Sequence, residues 1–387
     1  MDFALTESQE LIRKEVGALA RTFSPDYWLD KDNRAEYPHE FVKAFADNGW
    51  LGVMIPEQYG GAGLGVTEAG LMLHEICASG AGTSGASPIH FFVFPPTPII
   101  KYGTAAMKQK YLPRIATGEI VMAFGVTEPN AGTDTSRIQT RAVKRGDRYI
   151  VNGRKVWTTN AQHATKILLL ARTADRDPQK PLKGMTLFFA DLDRRAISVR
   201  LIEKLGRAAV DSNEIVIENL EVPDDDVVGE VGEGFYHLLD SLNPERIVIG
   251  IEAVGIGRAA LDRAVQYAKE RIVFDRPIGK NQAIAHPLAH AAAQLDAAEV
   301  MCWKAAWLFD HGRPCGREAN TAKLLAAEAG FNACDAALQT FGGFGYAKEF
   351  HVERLWREIR LYKIAPVSQQ MALNYLAEHV LGLPRSY

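Results

Sequence analysis

The apolar residues of this chain change their repeat twice, and that change constrains the fold more than any other feature. Over the first 120 or so of its 387 residues the repeat is helical. Leu11, Ile12, Val16, Leu19 and Ala20 fall at helical spacing behind Thr6, a residue type suited to capping a helix that begins at Glu7. Further helices are expected around 40–48, ending at Gly49, and around 67–78 and 105–117. From 121 to 228 the pattern shortens to strand-like runs at 138–143, 149–151, 155–159, 167–170, 185–189 and 214–217. Asn152-Gly153 reads as a hairpin turn and Arg145-Gly146-Asp147 as another turn. Short strands with no helices between them argue for an antiparallel barrel or sandwich and against a Rossmann sheet. The helical repeat returns at Asn243-Pro244-Glu245, which carries cap, proline and first-turn acid signals in order. Ile247, Ile251, Val254, Leu261, Val265 and Ala268 form a stripe reaching Arg271, and alanine-rich helices are expected at 283–311, 317–339, 352–362 and 369–381. The expected class is therefore α+β: a helical domain over 1–120, an antiparallel β-barrel or sandwich over 121–231, and a four-helix bundle over 232–387.

Composition narrows the function classes. Acids and bases are interspersed at a net charge of −3, so no basic face suggests a nucleic-acid partner, although a local phosphate pocket remains open. The four cysteines, Cys77, Cys302, Cys315 and Cys334, lack CxxC spacing and read as buried thiols of a reducing compartment. The N-terminus has neither a basic region nor an apolar core, and no apolar run reaches the roughly 18 residues of a membrane span. A cytoplasmic protein is the expectation. His286 and His290 lie four apart, but Pro287 intervenes and no third ligand is evident, so no metal is expected. The glycines of 60–65 match no phosphate-binding pattern and read as a helix connector.

The densest chemical segment is Phe124-Gly125-Val126-Thr127-Glu128-Pro129-Asn130-Ala131-Gly132-Thr133-Asp134. A turn rich in hydroxyls and glycine can aim several donors at one anionic or carbonyl ligand, and equally can be a surface turn. This segment resembles the signature of the acyl-CoA dehydrogenase family. Asn152 to Asn160, Glu203-Lys204-Leu205-Gly206, Arg271 to Gln282 and Gln339-Thr340-Phe341-Gly342-Gly343-Phe344-Gly345-Tyr346 resemble further family elements in the same order. The resemblance spans essentially the whole chain and implies FAD as cofactor, an acyl-CoA as substrate, and an electron-transfer flavoprotein or similar acceptor. By it, Phe124, Val126 and Thr127 line the isoalloxazine, Thr133 holds the pyrophosphate, Trp157 shields the ring and Thr159 donates towards N5. Taken alone, Trp157 reads as a core aromatic. Arg271, Phe274, Gln282, Gln339 and Gly343 resemble residues that reach the FAD of a neighbouring subunit, which implies a homodimer or homotetramer. Ser368 falls among the cofactor positions of the last helix.

Near the C-terminus the pattern breaks. Abstraction of a proton α to a thioester needs a carboxylate at that carbon and donors on the carbonyl oxygen. Much of the family supplies both from one residue, and here Pro366 stands in that place, with neither a carboxylate nor an N–H. A subset resembling isovaleryl-CoA and long-chain acyl-CoA dehydrogenases carries the base in a Glu-Arg pair, matched here by Glu245-Arg246. Glu245 is thus the candidate base, with Arg246 and Arg137 as substrate contacts; the competing reading of Glu245 is an acid placed in a first turn by the helix dipole. Asp275 follows Phe274 where the family usually has Gly. An oxidase or monooxygenase on the same fold, or a non-catalytic homologue that keeps the flavin, are the alternatives.

Overall fold

A computed structural model describes residues 4–385. The N-terminal block holds α1 (Glu7–Arg21), α2 (Pro25–Arg34), α3 (His39–Asp47), α4 (Val66–Ile76), α5 (Gly82–Val93), α6 (Thr97–Tyr102) and α7 (Ala105–Ala116). Thr6 caps α1 as expected, in a capping box closed by Gln9. The glycine-rich connector leads into α4, whose first amides are taken by a distant carboxylate. Asp310 accepts from Val66 N at 2.8 Å and from Thr67 N at 2.9 Å. A Cβ on Gly65 would lie 2.7 Å from that carboxylate, so glycine is needed there for the approach.

The middle block is one sheet of β1 (Met122–Gly125), β2 (Arg141–Arg145), β3 (Arg148–Thr159), β4 (Lys166–Arg172), β5 (Met185–Asp191), β6 (Ile197–Leu201), β7 (Ser212–Pro223) and β8 (Val227–Val228). The order is β6-β7-β3-β2-β4-β5-β8, with β1 parallel to β4. Because β6 and β8 end that order, the sheet is open and not a closed barrel; it is also mixed rather than wholly antiparallel. β4 is buried along its whole length because both its faces are covered. Leu168 and Leu170 join the helical core, while Ile167 and Leu169 join the core on the other side of the sheet. Asn152-Gly153 is not the hairpin turn expected: it lies within β3, at a register shift against β7. The hairpin is at Gly146, whose φ of 62° meets the turn's demand for a left-handed residue.

The last block holds α8 (Gly234–Glu270), a two-stranded ribbon of β9 (Ile272–Val273) and β10 (Arg276–Pro277), then α9 (Gln282–Asp310), α10 (Gly316–Phe341), α11 (Val352–Ile359) and α12 (Gln369–Tyr375). α8, α9 and α10 pack on one another, α12 lies on α10, and α4 fills the angle between α8 and α9. α8 begins nine residues before Asn243, so Asn243-Pro244-Glu245 is helix interior and not a cap. A proline pattern that usually marks a start is here tolerated inside a long helix held by tertiary packing. Glu245 is therefore no first-turn acid. Asp275 also fits: Phe274 and Asp275 have φ of 52° and 58°, the paired left-handed residues of a tight turn between β9 and β10.

Candidate active site

The flavin side of the candidate site is built on strand ends. β1 runs into the loop at Val126, and that loop is fastened to β3. Val156 N donates to Thr127 O at 2.9 Å, and Lys155 Nζ reaches Val126 O at 3.0 Å and Glu128 Oε1 at 2.9 Å. Glu128 also accepts from Gln139 N at 2.6 Å and Thr140 N at 2.9 Å. Burial pushes the Glu128 carboxyl up, but the Lys155 charge and these bonds outweigh it and hold it below its usual range. Burial lowers Lys155 to about 8. Neither residue was a sequence candidate, although both sit inside the quoted segments.

One residue beyond Lys155 and Val156, β3 departs from its ladder between Lys155 and Thr158. Trp157 takes φ of 62° there, uncommon for a bulky residue, and is 57 % exposed. The irregularity turns its ring out beside the end of β1, so the core-aromatic reading of Trp157 fails. Phe124 stays half-buried, edge-on to Phe94 with ring centres 5.0 Å apart. Thr159 is buried and its Oγ1 accepts from Arg207, whose guanidinium lies 3.3 Å from Thr159 Oγ1, 3.0 Å from Ser212 Oγ and 3.2 Å from Ser87 Oγ. Arg207 was not foreseen either; only its place after Glu203-Lys204-Leu205-Gly206 hinted at it. Thr158 Oγ1 and both polar side-chain atoms of Asn160 are buried without a hydrogen-bond partner among the described residues. A flat aromatic face, threonine hydroxyls and unfilled buried polar atoms suit the apolar rings and polar edge of an isoalloxazine.

Thr133 and Arg137 are exposed, and Arg137 Nε is held by Asp134 Oδ2 at 2.8 Å. A second set of flavin candidates is gathered elsewhere. Arg271 follows the end of α8 and stacks its guanidinium over Phe344 at 5.6 Å. Phe274 is 91 % exposed, and Gln282, Gln339 and Gly343 are exposed as well. Between Glu245 and Glu270 lie about 37 Å of helix at about 1.5 Å per residue, so this set is remote from Glu245 within one chain.

The base side is built on helices. Glu245 lies deep among protein atoms yet keeps some accessible surface. No hydrogen bond reaches its carboxylate from the described residues. Burial raises its pKa to about 7, with His90 and Arg246 pulling it down, Glu252 pushing it up and Lys323 pulling it down again. Arg246 bonds Asn243 Oδ1 at 3.0 Å and leaves its buried Nε unpartnered. Lys323, on α10, is fully buried and donates to Val367 O at 2.6 Å, fixing the segment that contains Pro366. Burial and then the Arg246 charge lower Lys323 to about 8. Ser368 caps α12 by accepting from Met371 N at 3.3 Å. The structure thus brings Glu245, Arg246 and the Pro366 segment together through Lys323.

Models of the acyl-CoA dehydrogenase N-terminal, middle and C-terminal domains match residues 6–119, 123–220 and 232–381. The chain belongs to the acyl-CoA dehydrogenase family. It is 38% identical over its whole length to an acyl-CoA dehydrogenase of Mycobacterium bovis, covering 99% of that protein. Its fold matches the butyryl-CoA dehydrogenase of Megasphaera elsdenii with a TM-score of 0.93 at 31% identity, over 98% of this chain and 100% of the other. It matches a glutaryl-coenzyme A dehydrogenase in complex with glutaryl-CoA with a TM-score of 0.94 at 30% identity, over 100% and 98%. This member is an FAD-dependent oxidoreductase that dehydrogenates an acyl-CoA thioester. The oxidase and non-catalytic alternatives are not favoured.

Proposed function

We propose that Glu245 is the base that removes the substrate's α-proton, in place of the carboxylate missing at Pro366. The observation that carries this reading is a deeply set carboxylate, free of hydrogen bonds from the described residues, whose pKa burial lifts to about 7. A base with a pKa near the working pH combines a useful ionised fraction with appetite for a proton. The carbonyl of Val367 is already bound by Lys323, so the segment at Pro366 is a fixed wall and not a proton acceptor.

Phe124, Val126, Thr127, Trp157 and Thr159 would hold the isoalloxazine, with Thr133 and Ser368 serving its polar tail. The chemistry FAD supplies when bound is acceptance of a hydride from the substrate's β-carbon. Arg246 orients the carboxylate or the substrate chain, and Arg137, once released from Asp134, can meet a CoA phosphate. Arg271, Phe274, Gln282, Gln339 and Gly343 would serve the cofactor of a second copy, which would make the working unit a homodimer or homotetramer. An electron-transfer flavoprotein or similar protein reoxidises the flavin. Four buried free thiols and the absence, among the described residues, of a helix long and apolar enough to cross a membrane agree with a cytoplasmic site of action.

Anaerobic titration with a panel of acyl-CoAs, following loss of flavin absorbance, tests this. Wild type is bleached by at least one thioester and Glu245→Gln is not; equal bleaching rates for the two would overturn the assignment.

A further inference from the structure

Beside the candidate base, three buried polar side chains from three separate elements are joined to one another. His90, on α5, places Nδ1 2.8 Å from Glu252 Oε1, and the Tyr362 hydroxyl, in the turn after α11, donates to Glu252 Oε2. His90 is 5 % exposed, Glu252 1 % and Tyr362 2 %. Glu252 stands two helical turns beyond Glu245 on α8, so both carboxylates project from the same face. On its other side His90 meets Phe94 at 6.0 Å, and Phe94 in turn meets Phe124. Ring contacts thus lead from Phe124, a candidate flavin contact, to a network on the helix that carries Glu245.

A buried charged network of this kind is weak evidence for stability, since apolar residues of similar volume are often as stable in its place. The geometry points to His90 as a positioning residue whose positive charge, held by Glu252, keeps Glu245 ionised for proton abstraction. This rests on the reading of Glu245 as the base.

The charges that face the pair are few. Glu245, Arg246 and Glu252 come from α8, Lys323 from α10, Arg207 from the loop after β6, Cys77 from the turn after α4 and Tyr362 from the turn after α11. Burial pulls the His90 imidazole towards neutrality, but the Glu252 charge and hydrogen bond, then the Glu245 charge, raise it overall above its ordinary value against Arg207. Burial pushes the Cys77 thiol and the Tyr362 hydroxyl well up, so both stay protonated. Glu245 is then balanced between a nearby cation at His90 and a nearby anion at Glu252.

That balance makes an unusual prediction. His90→Asn keeps a donor near the position of Nδ1 but deletes the cation, leaving the Glu252 carboxylate to repel Glu245. Glu252→Gln added on top deletes the repulsion too. The experiment is the pH profile of kcat/KM for the acyl-CoA that reduces wild type best, measured on flavin-loaded protein. A partly unfolded sample lowers the amplitude of the profile and does not move its midpoint. The acid limb of His90→Asn should move up by about one pH unit, and the His90→Asn/Glu252→Gln double variant should return it towards wild type. A limb that does not move in His90→Asn, or that moves up further in the double variant, overturns the inference. If His90→Asn yields no flavin-loaded protein, His90→Gln is measured instead. It also deletes the cation, so the limb should again move up, and an unmoved limb overturns the inference. Glu245→Gln separates the two readings. If it retains the wild-type rate, the base assignment fails; if it is inactive while the limb of His90→Asn stays put, only the role of His90 fails.

Discussion

Glu128 and Glu245 are both glutamates set into the protein, and they have opposite characters. Glu128 sits under the flavin-signature loop with a buried lysine and two backbone amides on its oxygens, and its carboxyl is held below the usual range. Glu245 sits on α8 with charges near it but no hydrogen bond from the described residues, and its pKa rises to about 7. The same side chain becomes a pin where its lone pairs are filled and a candidate base where they are not. The candidate flavin side is accordingly strand-end structure fastened by hydrogen bonds, and the candidate base is a helix-borne carboxylate tuned by its neighbours.

The largest expected effect is on chemistry. Glu245→Gln should slow flavin reduction by about 10²–10⁴-fold, the usual worth of a positioned base, while the protein stays yellow; stopped-flow absorbance with the best thioester reads it. Should Glu128→Gln slow the bound flavin's reduction as much, the distinction between pin and base would collapse. Second comes stability on the pinned side. Lys155→Met leaves the Glu128 carboxylate buried and unpaired, which should cost about 3–5 kcal/mol in denaturant unfolding and release flavin. An intact melting curve would show that water or another group can replace the lysine.

Third is the pH dependence of stability on the base side. Burial lifts the folded-state pKa of Glu245 from an ordinary 4.5 to about 7. Such a carboxyl favours the folded state while protonated, and that advantage is lost as pH rises from the lower value through the upper one. At about 1.36 kcal/mol per unit the loss is at most about 3 kcal/mol, so Glu245→Gln should become more stable than wild type above pH 7. Parallel wild-type and variant stability curves between pH 5 and about 8 would show that Glu245 is not strained when ionised. The smallest effect is a control at a carboxylate bonded to neither glutamate. Asp310→Ala, which uncovers the start of α4, should cost about 1 kcal/mol and leave flavin reduction unchanged.

The order of helical, β and helical blocks was legible because the apolar repeat changes with the secondary structure. The Thr6 cap was legible because capping is local. The hairpin at Asn152-Gly153 was misread because a bulge in a strand between two neighbours uses the same residues as a turn. The start of α8 was misread because Pro244 is tolerated within a helix held from outside. The barrel became an open sheet because closure depends on whether the last strands meet, which no local pattern encodes.

For the site, the sequence by itself determined which residue types were available: the signature loop, Trp157, Glu245-Arg246 and the proline at 366. Tertiary structure decided what they could do. Lys155 meets Glu128 across 27 positions of chain, Arg207 meets Thr159 across 48, and His90 meets Glu252 across 162. A carboxylate's pKa is set by burial and by charges within a few ångströms, and distances of that kind are fixed only when separate elements pack. The sequence names Glu245, and only the fold can make it a base.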